Sequence, residues 1–267
     1  MAKGNTILLT RVERPKPPHF FSAIWTFMWR TLQQVKHNWV ALAIGDIMMP
    51  IVFMLIFTFF FGGAISGSPR QYLQYLLPGI MLMTVVPMTL NVGAAISSDI
   101  AKGVFDRFRT LPFPQSASLF GALLTYTLRY IVALVVTIGV GFALGFRADL
   151  GGAILATALI VLFGFCLSWA FAAVGILAKK PELVLSGASM IVYPLLFASN
   201  IFVDVKTMPD WLQVIINANP ISIVTTTARQ LMQNSATITD IVWALGVCAV
   251  CLLLFAPITL TLYKRKQ

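Results

Sequence analysis

Two uninterrupted apolar runs, residues 47–64 and 72–98, constrain this chain more than any other feature of its sequence. Neither run contains a charged residue, and a helix needs about 20 apolar residues to cross ~30 Å of hydrocarbon. The chain of 267 residues is 58% hydrophobic and 10% charged, whereas soluble domains carry about 25% charged residues. Strands of a membrane barrel would alternate in hydrophobicity over about 10 residues. The sequence therefore predicts an all-α integral membrane protein.

Six apolar segments are long enough to be predicted as transmembrane spans. They cover residues 40–62, a part of 72–98, 118–145, 152–178, 183–203 and 241–263. Two further apolar runs, residues 211–218 and 221–228, are too short to cross a bilayer. Each begins close behind a proline, Pro209 or Pro220, and proline is favoured in the first turn of a helix. We therefore expect two short outer helices between the fifth and sixth spans.

The placement of positive charge predicts the orientation of the chain. Of the 19 Lys and Arg residues, 14 fall in the termini and in the loops on the same side, and 4 fall in the opposite loops. Arg129 lies inside a span. Because cytosolic loops carry an excess of Lys and Arg, this bias places both termini in the cytosol. The net charge of +10 then reflects contact with anionic membrane lipid rather than a nucleic-acid partner.

The N-terminal 38 residues differ in character from the spans. Residues 1–19 are polar and rich in proline and basic residues, which is typical of a disordered cytosolic tail. Residues 20–38 alternate between an apolar face and a basic polar face at helical spacing, with tryptophans at Trp25 and Trp29. This pattern predicts an amphipathic helix lying in the membrane interface, although an extension of the first span is an alternative. Residues 39–267 would then form one six-span domain.

The stretch of residues 97–121 is the longest charged interruption between two spans. Its centre, residues 102–111, has helical spacing, with Val104, Phe105, Phe108 and Leu111 on one apolar stripe. Prolines at 112 and 114 end the helix. Exposed phenylalanines among charged residues are typical of an interaction surface, so we expect this cytosolic helix to dock on a partner protein. The alternative is a solvated loop that only sets the topology.

Two ionisable residues, Asp46 and Arg129, are predicted to lie within spans. An unpaired charge at that depth costs roughly 3 kcal/mol on insertion scales, so Arg129 needs a partner such as Asp46 or Asn91, or a water-filled cavity. Both a structural ion pair and a place on the wall of a path through the bundle are open. The aromatic residues of the first and fifth spans are candidates either for the wall of a path or for simple packing. The candidates for the path are Phe53, Phe57, Tyr193 and Phe197.

No signature of catalysis or of metal binding is present in the sequence. There is no phosphate-binding G-x-x-x-x-G-K-[ST] loop and no H-E-x-x-H pair. The three cysteines, Cys166, Cys248 and Cys251, fall inside apolar runs without the spacing of a metal site. We therefore expect a non-catalytic membrane subunit that binds no cofactor or metal itself.

The motif Asp99-x-x-Lys-Gly-Val-Phe-Asp-Arg-Phe-Arg-Thr-Leu-Pro112 resembles the type-2 ABC exporter permeases, and among them the bacterial daunorubicin/doxorubicin-resistance permease group. The similarity continues in Thr127-Leu-Arg129, in Asn200-x-Phe-Val-Asp204 and in Met208-Pro-Asp-Trp-Leu212. It extends through Asn219-Pro220 to Arg229-Gln-Leu231. The resemblance covers nearly the whole chain and is weakest over residues 1–19.

The resemblance implies a homodimer of permeases in the bacterial cytoplasmic membrane, with two copies of a separate ABC ATPase that bind ATP and Mg²⁺. It implies that the helix between spans two and three is the coupling helix, held in a groove of the ATPase. The positions assigned to this contact, with Phe108 added from the apolar stripe, are Lys102, Gly103, Phe105, Asp106, Arg107, Phe108, Arg109, Leu111 and Pro112. The expected cargo is a hydrophobic or amphipathic drug-like compound. Alternatives are a lipid-linked glycan exporter and an ATPase-independent secondary transporter.

Overall fold

The computed structural model describes residues 44–103, 116–178 and 180–265, together with Trp25, Met28, Trp29 and Gln33. Within these residues the chain is helical and contains no strand. The eight helices, numbered here in chain order from residue 45, are α1 (Gly45–Ser66), α2 (Pro69–Ala101), α3 (Ser116–Ala143), α4 (Leu150–Leu177), α5 (Pro181–Phe197), α6 (Asp210–Ala218), α7 (Pro220–Met232) and α8 (Ile238–Arg265).

Side-chain caps and prolines define where several helices begin. Ser68 accepts a hydrogen bond from the backbone N–H of Gln71 at the start of α2. Asp149 accepts one from Gly152 at the start of α4, and Asn219 accepts one from Ile221 at the start of α7. These bonds satisfy backbone donors that have no partner inside the helix. The sequence thus specifies these helix starts locally, before any tertiary packing.

Helix α1 begins within a π-helical segment, Ile44–Met48, and contains a second one, Phe57–Phe61, on the other side of the α-helical segment Met49–Ile56. A π-helical turn widens the helix and is frequently found at functional sites. The first segment contains Asp46 and the second contains Thr58. Each of these two residues lies at a polar feature of the bundle.

Helix α2 is the central element of the bundle and packs against α3, α4, α5 and α7. Most of its side chains between Tyr72 and Ser97 are buried. Its contact with α4 is close because glycines face each other across it. A Cβ atom added to Gly175 would lie 2.2 Å from the carbonyl oxygen of Gly93, which leaves no room for any side chain. Small residues allow helix backbones to approach in this way within membranes, where packing rather than the hydrophobic effect holds helices together.

Five of the helices, α1, α2, α3, α4 and α8, are long and apolar enough to cross a membrane. Helix α5 is apolar but shorter, with 17 residues. The fifth span was predicted to continue to residue 203, whereas the helix itself ends at Phe197. Beyond this end, the backbone carbonyls of Asn200 and Phe202 accept hydrogen bonds from the hydroxyls of Tyr75 and Tyr72, both at 2.8 Å.

The two short helices predicted after the fifth span are present as α6 and α7. Helix α7 packs against α2, α4 and α8, which anchors the pair to the bundle. Of the predicted interfacial helix, Trp25, Met28, Trp29 and Gln33 are described and are helical. The remainder of that helix, the tail at residues 1–19 and the centre of the predicted coupling helix at residues 104–115 lie outside the described residues.

Candidate functional site

An ion pair joins the first and third helices inside the bundle. The Arg129 guanidinium on α3 donates to the carboxylate of Asp46 on α1 through Nη2 and Oδ2. The two side chains expose only 11% and 14% of their surfaces. The Arg129 Cζ atom also lies 4.8 Å from the centroid of the Tyr126 ring. The structure therefore gives Arg129 one of the two partners that the sequence suggested, and the charge of each group is balanced where water is scarce.

A cavity of about 540 Å³ opens beside this ion pair, between α1, α2 and α5. This volume lies within the 300–1,000 Å³ range that is usual for small-molecule sites. The wall includes Asp46 and Phe53 from α1, Asn91 from α2 and Tyr193 from α5. Asn91, the other partner suggested for Arg129, thus lies on the cavity wall. The cavity brings together four of the residues proposed from the sequence as ion-pair or path residues, namely Asp46, Phe53, Asn91 and Tyr193.

The chemistry of the cavity is mainly apolar. Methionines, prolines and leucines make up much of the remaining wall, which contains Met49, Pro50, Met83, Pro87, Leu90 and Leu185. Among the polar members, Thr84 donates to the carbonyl of Ile80 at 2.9 Å and Ser186 donates to that of Glu182 at 2.8 Å. Their donors are therefore satisfied within their own helices. Such a wall suits an apolar or amphipathic ligand, with aromatic rings for stacking and few free polar groups.

The other two path candidates, Phe57 and Phe197, lie in an aromatic cluster with Phe202. The ring centroids of Phe57 and Phe202 are 4.5 Å apart, and those of Phe197 and Phe202 are 5.7 Å apart, with both pairs stacked. Phe53 stacks on Phe57 at 6.2 Å, so the cluster continues from the cavity along α1. Phe202 lies within the predicted fifth span but was not selected from the sequence, because an apolar span carries no record of which of its side chains meet.

Arg229 on α7 is a second buried arginine. From the sequence it was assigned only as one of the charges of the outer loops. Its Nε atom donates to the carbonyl of Tyr75 at 3.0 Å and its Nη2 atom to that of Asn200 at 3.1 Å. The Cζ atom lies 3.6 Å from the centroid of the Tyr75 ring. Burial lowers the pKa of this guanidinium from its ordinary value, against the opposing effects of Tyr75 and Asp204. Arginine remains protonated in proteins nonetheless, so Arg229 ties α7 to α2 as a cation.

The predicted docking segment is described only at its start. Lys102 is exposed and follows the end of α2, with its N–H bonded to the carbonyl of Ser98 at 3.0 Å. Gly103 has a positive φ of 64°, a conformation that glycine adopts without strain and that ends helices. The chain therefore turns away from α2 at this point. The other residues assigned to docking, Phe105, Asp106, Arg107, Phe108, Arg109, Leu111 and Pro112, lie outside the described residues.

Comparison with known proteins gives the same family that the docking motif suggested. Residues 22–232 match the ABC-2 type transporter family. The chain is 49% identical over 263 residues to the daunorubicin resistance ABC transporter permease protein DrrB1 of Streptomyces coeruleorubidus, covering 97% of this chain and 92% of that protein.

More distant relatives extend the same similarity. The probable doxorubicin resistance ABC transporter permease protein DrrC of Mycobacterium tuberculosis is 23% identical over 78% of both chains. The putative transport permease ycf38 of Cyanophora paradoxa is 25% identical over 81% of this chain and 76% of its own length. Because the family match spans most of the chain and the Streptomyces relative is similar over nearly its whole length, this protein belongs to the ABC-2 type transporter family.

Proposed function

We propose that this chain is the permease subunit of an ATP-driven exporter that moves a hydrophobic or amphipathic drug-like compound out of the cell. The observation that carries the proposal is the apolar, aromatic-walled cavity of about 540 Å³ between α1, α2 and α5. The near-full-length similarity to a daunorubicin resistance permease supports the same class of cargo. A glycan exporter would need many hydrogen-bonding groups along its path, whereas the donors of Thr84 and Ser186 are used within their own helices.

The topology that we propose has six spans and both termini in the cytosol. Helix α5 serves as the fifth span in this arrangement, although its 17 residues extend only about 26 Å at 1.5 Å per residue. In this proposal the segment after Phe197 makes up the remaining thickness, and hydrogen bonds from the Tyr72 and Tyr75 hydroxyls hold its backbone against α2. The excess of Lys and Arg at the termini and in the loop after α2 supports this orientation in a bacterial cytoplasmic membrane.

The energy source in this proposal is a separate ABC ATPase present in two copies, which bind ATP and Mg²⁺. The segment from Lys102 to Pro112 docks on that ATPase and transmits its closure to α2 and α3. A direct physical route exists, because α2 leads into the segment at Ala101 and α3 follows it at Ser116. Phe105 and Phe108 supply the apolar contact, and Arg107 and Arg109 supply charge-assisted bonds to carboxylates.

A second copy of the chain completes the cavity in this proposal. The cavity lies where α1 and α5 present large apolar side chains outward, including Phe60 at 79% exposure and Met190 at 81%. A partner copy against these faces would enclose the path and exclude lipid from it. The apolar surfaces of α4 and α8 would then face the membrane.

The test is transport by the reconstituted complex. The full chain is assembled with its ATPase in inside-out vesicles, and ATP-dependent uptake of daunorubicin is followed by fluorescence. We expect uptake that requires ATP hydrolysis and a daunorubicin-stimulated ATPase rate. Uptake by the permease alone on a proton gradient, without nucleotide, would instead identify a secondary transporter.

A further inference from the structure

Two arginines meet in a pocket at one end of the bundle, away from the cavity described above. This pocket, called here the Arg70–Arg147 pocket, has a volume of about 350 Å³ and lies between the end of α1, the start of α2 and the end of α3. Arg70, Arg147, Thr58 and Phe59 contribute to its wall. Two of the four basic residues assigned to this side of the membrane by sequence are therefore brought into one small pocket.

The positive charge of the pocket is not balanced by the described residues. No carboxylate among them lies within salt-bridge distance of Arg70 or Arg147. The nearest acidic residue in sequence, Asp149, uses its carboxylate to cap α4 through Gly152. Arg147 donates from Nη1 to the carbonyl of Phe146 at 3.0 Å, which leaves most of its N–H groups available. Two guanidiniums with free donors are suited to a phosphate group, which they bind through paired hydrogen bonds.

The position of Arg70 is set by a glycine. A Cβ atom added to Gly145 would lie 3.2 Å from the Nε atom of Arg70, so the guanidinium packs directly on this turn of backbone. Gly145 also has a positive φ of 100°, which side-chain-bearing residues rarely adopt. Arg70 stands in the first turn of α2, where the helix dipole adds partial positive charge. The pocket therefore combines the charge of the Arg70 guanidinium, the partial positive charge of the α2 N-terminus and a position for Arg70 that is set by packing on Gly145.

Thr58 supplies an independent sign that a polar group binds in this pocket. Its side chain is 98% buried, since only 2% of its surface is exposed, and its Oγ1 atom has no hydrogen-bond partner among the residues that the structure describes. Most buried hydroxyls in membrane helices bond to their own backbone, as Thr84 does here. Thr58 lies instead in the π-helical segment Phe57–Phe61 and lines the pocket. A buried hydroxyl left without a partner is costly, and an oxygen acceptor in the pocket would remove that cost.

The outer flank of the pocket is apolar. Phe59 lines it and is 58% exposed, and Phe142 contributes a half-buried ring. An exposed phenylalanine beside the pocket offers an apolar surface to a hydrocarbon chain. A ligand with an anionic head and a hydrocarbon body therefore fits the pocket better than a free ion, because only the lipid would cover both surfaces.

We propose that the Arg70–Arg147 pocket binds the phosphate of an anionic phospholipid from the membrane leaflet at this end of the bundle. The two guanidiniums hold the phosphate oxygens, the Thr58 hydroxyl donates to one of them, and the acyl chains lie along Phe59 and Phe142. Because the lipid bridges α1, α2 and α3, its loss loosens the ends of these helices. The bound lipid is neither the transported cargo nor a contact of the ATPase, so its binding does not depend on the proposed function.

The test measures lipid retained by the full-length protein. Purified wild type and variants are mixed with phosphatidylglycerol or phosphatidylcholine, and bound lipid is counted by native mass spectrometry. Wild type is expected to retain phosphatidylglycerol at least 10-fold better than phosphatidylcholine. The double variant Arg70→Gln/Arg147→Gln is expected to lose this preference, and Thr58→Val, which keeps the shape of the side chain, to reduce retention about threefold. The matched control Lys206→Gln removes an exposed charge outside the pocket and is expected to have no effect.

Three results would overturn the proposal. The first is equal retention of phosphatidylglycerol by wild type and the double variant. The second is an equal loss of retention in Lys206→Gln, since this would indicate non-specific attraction to charge. The third is full displacement of lipid by millimolar inorganic phosphate, which would identify a site for a free anion. If the double variant fails to fold, the near-isosteric Thr58→Val variant decides the matter by itself.

Discussion

The carboxylate of Asp46 and the guanidinium of Arg129 form an ion pair that fastens the start of α1 to the middle of α3. The pair stands beside the cavity, and Asp46 is part of the cavity wall. A charge that is paired in this way holds two helices at a fixed distance without leaving a net charge on the cavity wall. It therefore links the stability of the bundle to the shape of the cavity.

Replacing Arg129 with leucine leaves the Asp46 carboxylate buried without a cation. We expect a loss of about 3 kcal/mol in the free energy of unfolding, since breaking one side of a buried pair strands the other charge. The measurement is thermal unfolding in detergent together with the yield of folded protein. The double variant Asp46→Leu/Arg129→Leu is the control and should recover most of the loss. A single variant as stable as wild type would show that the pair contributes nothing.

Filling the cavity should block transport without unfolding the protein. Ser189 on α5 lines the cavity, and Ser189→Trp would occupy a large part of its volume. We expect ATP-dependent drug uptake to fall at least 10-fold, because the cargo and the indole compete for the same space. Ala249→Trp, on the exposed surface of α8, adds the same ring outside the cavity and should reduce uptake less than twofold. Equal losses in both variants would remove the cavity from the pathway.

Adding one methyl group at the contact between α2 and α4 should destabilise the bundle. A Cβ atom at Gly175 would lie 2.2 Å from the carbonyl oxygen of Gly93, so Gly175→Ala forces the helices apart. Overpacking of this kind costs about 1–3 kcal/mol. Gly139 on α3 has nothing within 4 Å of an added Cβ, and Gly139→Ala should leave the melting temperature unchanged or slightly higher. Thermal unfolding of both variants checks the prediction.

Arg229 should not be replaceable by lysine. Its planar guanidinium donates to two carbonyls on different segments, those of Tyr75 and Asn200, and stacks on the Tyr75 ring. A lysine ammonium lacks this fork geometry. We expect Arg229→Lys to lose about 1–3 kcal/mol of stability and to increase hydrogen exchange in α6 and α7. Lys206→Arg, an exchange between the same residue types at an exposed position, should change neither quantity.

A charged substitution in the docking segment should abolish coupling to the ATPase without preventing folding. Phe105→Asp places a charge on the proposed apolar contact with the ATPase, and such a residue at an interface centre can contribute 2 kcal/mol or more. We expect normal membrane insertion, loss of ATPase co-purification and no drug-stimulated ATP hydrolysis. Phe105→Leu keeps the apolar contact and should retain most activity. Full transport by Phe105→Asp would contradict the docking assignment.

The sequence by itself determined the class of fold, the number of apolar segments and the family. Apolar runs of bilayer length leave a chain few alternatives to helices, because a backbone in hydrocarbon must satisfy its own hydrogen bonds. The sequence also specified the starts of α2, α4 and α7 locally, since each depends on a cap or a proline within four residues. The need of Arg129 for a partner likewise followed from its depth alone.

Only the tertiary structure decided which side chains meet. A helix that is apolar on every side carries no record of its rotation in its sequence, so the pairing of Arg129 with Asp46 rather than Asn91 required the packed bundle. The carbonyls of Asn200 and Phe202, which follow the end of α5, accept hydrogen bonds from tyrosines more than a hundred residues earlier in the chain. The burial of Arg229 and the meeting of Arg70 with Arg147 have the same cause, because residues distant in the chain come together only when the helices pack.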